Sequence, residues 1–326
     1  MEVENGIIVH QILFLAVLVL VGVLATKLRV ISESVKDSLA KVIFNVTLPL
    51  LIFTSVARID LSPDIIRNSG MVFLYTYLAL FIMFLAGSIF ARILGLKGQQ
   101  RAVFINHHIY GNIVFLGFPL LDALFPGGEG LLYAAMYQLA SNTSMWTFGV
   151  WIFVRENKGP QTKLLRNLLN PNTIALILGL VVMFTGLHIP DLAFEPFFGM
   201  GKTTIYLSML YIGAMLSYMS WRGVLKRLYI LLLSFNKLLL VPAILAFVVF
   251  FLSELITPNF GMIARKVVIL QASMPCMAII VVLAKQFKSD DALATENVFV
   301  STIASLFTLP LVYTGLVWLE HWISKV

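Results

Sequence analysis

Charge is scarce in this sequence. Only 12% of its 326 residues are Asp, Glu, Lys or Arg, while 60% are hydrophobic. A soluble globular chain carries about a quarter charged residues. This one cannot cover a water-facing surface, and it reads as an all-α polytopic membrane protein with little mass outside the bilayer. All sixteen acidic residues map to loops or to the ends of apolar runs, which excludes the buried carboxylate relay of many pumps. Cysteine occurs once, as Cys276, so no internal disulfide can form. The sequence has no phosphate-binding loop, no HExxH and no GxSxG. No paired Asp, Ser/Lys or His/Glu group lies inside the runs, so neither an enzyme nor a cofactor is expected. The acidic start MEVENGIIVHQ lacks the basic segment of a cleaved signal peptide, and the first apolar run is read as a retained span.

What is present is a succession of ten apolar runs, near 7–26, 39–57, 69–91, 102–125, 130–154, 171–188, 203–220, 229–253, 263–287 and 295–319. Each is close to the roughly 20 residues that cross a bilayer. With the N-terminus outside, the inside loops hold 16 Lys and Arg and the outside segments hold 6. That bias supports an even number of spans with both termini outside, and it accounts for the net charge of +7 without invoking nucleic acid. The polar stretch at 155–170 separates residues 1–154 from 171–326. Five spans on each side have opposite orientations, the inverted-repeat plan of many secondary transporters.

The fourth run, RAVFINHHIYGNIVFLGFPLLDALF, carries polar groups in its middle that lipid penalises. Gly111-Asn112 lies there, and Pro275-Cys276 lies at a matching depth in the ninth run. Two broken helices crossing at these points would place half-helix ends at mid-bilayer. Free N–H groups at such ends favour an anion, and Asn112 adds further donors. Pro119, Pro242 and Pro310 are read as ordinary kinks.

Other polar groups have two readings each. His107 and His108 project about 100° apart and are either proton carriers or neutral rings satisfied by backbone. No third ligand joins them, so a metal is not expected. Gln138, Ser141, Asn142, Thr143 and Ser144 form a polar patch in the fifth run, Asn45 precedes Pro49 in the second, and Gln271 sits one turn before Pro275. Ser301 and Ser305 are the repeat counterparts of Ser141 and Asn142. Lys237, the one cation inside a run, is placed at the cytoplasmic interface, snorkelling, in preference to a buried counter-ion.

The stretches NVTLPLLIF, GNIVFLGFPLL, LQASMPCMAIIVVLAKQF and STIASLFTLPL, in this order and spacing, resemble the auxin efflux carrier family. The resemblance implies a fold similar to sodium–bile acid symporters, with the fourth and ninth helices crossing, and an elevator mechanism. Helices 1, 2, 6 and 7 would form a scaffold with dimer contacts through helices 2 and 7. Helices 3–5 and 8–10 would form the moving domain. The resemblance also places Ser141 and Asn142 at the substrate site. Relatives often have proline where this chain has Gly111, which implies a less sharply broken first helix, and a polar amide where it has Cys276.

The function expected is therefore transport of small organic anions, carboxylates, across the cell membrane. The expected substrate-binding residues are Gly111, Asn112, Pro275, Cys276, Asn142, Ser141, Asn45 and Ser305. His107 and His108 are candidates for ion coupling. A ligand-binding sensor without transport and a sodium-coupled bile-acid-type symporter are the alternatives.

Overall fold

The computed structural model describes residues 2–59, 62–157, 171–218 and 227–323. The described chain is helical, with no β-strand among the described residues. The helices are α1 (Glu2–Lys27), α2 (Glu33–Ala57), α3 (Pro63–Ile93), α4 (Gly98–Ile109), α5 (Ile113–Leu124) and α6 (129–157). They continue as α7 (Pro171–Thr185), α8 (Asp191–Tyr218), α9 (Leu228–Ile256), α10 (Met262–Ala272), α11 (Ile279–Gln286) and α12 (Asp291–Ile323). Among the described residues four stretches, Glu33–Ala57, Pro63–Ile93, Leu228–Ile256 and Asp291–Trp322, are long and apolar enough to cross a membrane. Most of the expected linker, from residue 158, lies outside the described residues.

Among the described residues two apolar runs are interrupted, at the breaks expected from Gly111-Asn112 and Pro275-Cys276. The fourth divides into α4 and α5 with a gap at 110–112, and the ninth into α10 and α11 with a gap at 273–278. Glycine in place of proline does not prevent the first break, although that break is the shorter. The seventh run starts earlier than its hydropathy indicates. The run was expected near 203–220, yet α8 begins at Asp191 and runs through Pro196. Pro190 O accepts from the N–H of Ala193 and Phe194, which winds the first turn.

Among the described residues, three of the four π-helical turns end two residues before a proline. They are Ile43–Thr47 before Pro49, Ile113–Gly117 before Pro119 and Asn236–Leu240 before Pro242. A proline has no N–H and its ring collides with the carbonyl four residues back. A widened turn moves that carbonyl aside. Pro119 and Pro242 therefore reshape their helices, whereas Pro310 sits inside regular α12.

The helices cluster into two compact units. One holds α1, α2, α5, the start of α6, α7 and α8. Small residues set its spacing, as expected of helices associating in lipid. A Cβ on Gly213 would meet Val19 O at 2.2 Å, and one on Gly201 would meet Leu51 N at 2.8 Å. Asp122 of α5, its side chain 3% exposed, is bound by Lys202 Nζ of α8 at 2.9 and 2.7 Å. Arg58, at the end of α2, pairs with Asp191 and covers the Phe194 ring at 3.7 Å.

The second unit holds most of α3, α4, the remainder of α6, and α9 to α12. Its centre is the pair of half-helices α4 and α10. Ala102–Ile109 and Ala264–Ala272 are buried at every position, the signature of a helix enclosed on all sides. Phe153 of α6 stacks on Phe287 at 5.8 Å, and Tyr75 of α3 stacks on Phe260 at 4.8 Å.

Candidate functional site

In an unbroken helix each carbonyl accepts the N–H four residues on. At the end of α4 that pattern fails, and every freed group named here finds a new partner within the second unit. Asn112 N–H, which would bond His108 O, donates instead to Pro275 O at 2.6 Å. Met277 N–H donates to Tyr110 O at 3.3 Å. Gly111 and Cys276 thus face each other as a one-pair antiparallel bridge, and each break repairs the other. Cys276 N–H donates to Ser301 Oγ of α12 at 2.9 Å. Two of the carbonyls left over in α4 are also used. Lys237 Nζ donates to His108 O at 2.9 Å, and Cys276 Sγ lies 3.9 Å from His107 O. Replacement partners of this kind are what a buried interruption in hydrocarbon requires.

Gly111 is needed here for closeness rather than for unusual dihedrals. Its φ is not positive, but a Cβ would lie 3.0 Å from both Met274 Cβ and Met274 O. Gly149 of α6 serves in the same way. A Cβ there would meet Tyr110 Cε2 at 2.7 Å and Asn106 Oδ1 at 2.9 Å. Tyr110 Oη in turn bonds Ser144 Oγ at 2.9 Å, which ties α6 to the crossover.

The two histidines are held differently. His108 Nδ1 lies 3.0 Å from Phe104 O, which can only accept, so that nitrogen carries the proton. Its Nε2 then accepts from Asn236 Nδ2 at 2.9 Å. Both nitrogens of a neutral ring are thereby engaged. His107 Nδ1 accepts from Asn297 Nδ2 at 3.1 Å, leaving its proton on Nε2.

Lys237 corrects the interfacial placement. α9 runs unbroken from Leu228, so Lys237 stands about 14 Å along it and is 0% exposed. Of the stretch 222–233, whose sequence suits the membrane surface, residues 222–226 lie outside the described residues and 228–233 belong to α9. The π-helical turn at Asn236–Leu240 presents both Asn236 and Lys237 to the last turn of α4. A cation there also meets the negative end of the helix dipole.

The site residues expected from sequence do not all lie together. Gly111, Asn112, Pro275, Cys276, His107 and His108 come together at the crossover. Ser141 and Asn142 are buried in α6, one turn before Ser144. Ser305 is buried on α12 but donates to Thr302 O of its own helix, while Ser301 makes the direct contact. Asn45 belongs to the other unit, is exposed, and donates to Lys41 O. Gln271 is fully buried with no hydrogen bond from its amide among the described residues.

Three residues that the sequence reading did not assign to the site are Tyr110, Asn236 and Asn297. Asn297, Ser301 and Ser305 recur at intervals of four, one face of a helix, and that spacing was the available signal. No group of three or more His, Cys, Asp or Glu among the described residues could hold a metal ion.

Around the crossover, Arg265 to Cys276 are all buried, whereas Met277, Ala278 and Ile279 are half-buried. The start of α11 is therefore where the break is accessible. The backbone N–H groups of Ala278 and Ile279 precede the first helical bond of α11 and make no hydrogen bond among the described residues. An acceptor can be received there without displacing the bridge.

Known proteins resemble this chain over nearly its whole length. An uncharacterized transporter of Methanocaldococcus jannaschii is 26% identical over 305 residues, covering 92% of this chain and 96% of its own. An uncharacterized transporter of Methanothermobacter thermautotrophicus is 29% identical over 306 residues, covering 93% and 96%. A model of the membrane transport protein family matches residues 7–313. The chain belongs to that family, the auxin efflux carrier family, and is an integral membrane protein of a transporter lineage.

Proposed function

We propose that the protein is a secondary transporter of small organic anions, carboxylates, bound at the crossover of the two broken helices. The observation that carries this reading is the half-buried start of α11, where the N–H groups of Ala278 and Ile279 lie beside a closed backbone bridge. Preorganised donors at a helix N-terminus suit a carboxylate, and the Asn112 amide supplies further donors on the α4 side. The described chain shows no acidic group in the crossover that would repel the anion.

In this proposal the chain has ten spans in two inverted five-helix repeats, with both termini outside. The body carrying spans 3–5 and 8–10 moves against spans 1, 2, 6 and 7, and two copies associate through spans 2 and 7. The rigid pairing of α4 with α10 and α11 supports motion of the crossover as one piece. If a proton is coupled, His107 carries it, because both ring nitrogens of His108 are committed to Phe104 and Asn236.

Flux into proteoliposomes tests the reading. A panel of mono- and dicarboxylates is offered with and without sodium and pH gradients. Saturable uptake of at least one carboxylate is expected. Binding without uptake would instead indicate a sensor. Cys276 offers a second test: a bound carboxylate is expected to slow its alkylation, and an unchanged labelling rate would move the site away from the bridge.

A further inference from the structure

Lys237 is the feature of the second unit that the proposed function does not use. Its ammonium is fully buried, and among the described residues no carboxylate lies within 4.0 Å of it. Its hydrogen-bond partner is a carbonyl, His108 O, freed by the break in α4. The groups within its electrostatic reach are His107, His108 and Cys276, on the two sides of the bridge. Asn236, the residue beside it, fixes the His108 ring, so the lysine's acceptor is itself held in place. A lone ammonium removed from water is strongly unfavourable unless something answers its charge. Backbone carbonyls at a helix C-terminus answer part of it.

Carbonyls freed at a helix break are also what a transporter uses to hold a coupling sodium ion. Here one of those carbonyls is already occupied by a cation that cannot leave. We propose that Lys237 is a tethered replacement for a free coupling cation. It keeps the α4 carbonyl end satisfied in the empty carrier, and its charge offsets that of the carboxylate at the crossover, so the transporter works without sodium. The first half stands on the Lys237 geometry alone, and the second rests on the proposed anion site.

The test has one arm for each half. In detergent, the thermal midpoint of the purified protein is measured in NaCl and in choline chloride at equal ionic strength, for wild type, Lys237→Arg and Lys237→Gln. The same midpoint is expected in both salts for wild type. Lys237→Gln is expected to melt lower in choline and to recover in sodium, and Lys237→Arg to behave as wild type. Specific stabilisation of wild type by sodium, or a Lys237→Gln protein indifferent to sodium, would overturn the tethered-cation role.

In proteoliposomes, benzoate and malonate uptake is compared in sodium and in choline. Wild type is expected to be equally active in both, and Lys237→Gln to need at least tenfold more substrate for half-maximal uptake, about 1.4 kcal/mol. Unchanged half-saturation in Lys237→Gln, or sodium-dependent wild-type uptake, contradicts the charge-offset half. Absence of all wild-type uptake defeats that half together with the carboxylate reading, while the thermal arm still decides the lysine's role.

Discussion

The crossover depends on a few residues whose roles are steric or stoichiometric. Gly149 admits the Tyr110 ring, and a Cβ would intrude to 2.7 Å from it. Gly149→Val is therefore expected to lower stability by about 1–3 kcal/mol, the usual cost of overpacking a filled core. The thermal midpoint by size-exclusion after heating reads it, and an unchanged midpoint would mean that α6 does not brace Tyr110. Asn112 behaves in the opposite way. Its backbone N–H makes the bond to Pro275 whatever its side chain, so Asn112→Ala keeps the fold. At this scale the sequence was legible where a residue was out of place in an apolar run, as with Gly111-Asn112 and Pro275-Cys276. It was not legible for Lys237. Whether a lysine one-third of the way along a helix snorkels or turns inward depends on which neighbour offers a carbonyl, and that carbonyl exists only because α4 breaks 129 residues earlier.

Among elements, the informative contrast lies on α12. Ser301 and Ser305 share a face, but Ser301 Oγ receives Cys276 N–H while Ser305 Oγ only bonds back within its helix. Ser301→Ala leaves a buried N–H without a partner, a loss of about 1–3 kcal/mol. Ser305→Ala is expected to be close to neutral. Thermal unfolding of the two variants side by side checks this, and equal midpoints would remove Ser301 from the bridge. The interruptions in the fourth and ninth runs could be placed from sequence because breakers stood inside spans of sufficient length. The start of α8 could not, since its first turns carry Pro196, Gly199 and Gly201, residue types of low helix propensity. Gly201 is there to admit the α2 backbone, a packing requirement with no local signature.

For the whole molecule, the charge bias of the loops predicts that both termini face outward. In a Cys276→Ser background, Gly127→Cys has room for its side chain and Ser34→Cys is exposed. A membrane-impermeant thiol reagent is expected to label Gly127→Cys on intact cells and Ser34→Cys only after permeabilisation; the reverse pattern would invert the topology. Composition and spacing were enough to read a helical membrane protein and its family, because hydropathy reports directly on the surrounding solvent. Substrate chemistry is less exposed to such reading, since most donors at the crossover belong to the backbone and appear in no side-chain pattern. The most direct test of the central claim is therefore carboxylate uptake into proteoliposomes by wild type and Asn112→Ala, reconstituted in equal folded amounts. Saturable wild-type uptake with a half-saturating concentration raised about tenfold or more in Asn112→Ala, the loss of roughly 1.4 kcal/mol of binding, is the result predicted. No carboxylate uptake by wild type, or identical half-saturation in the two proteins, would contradict it.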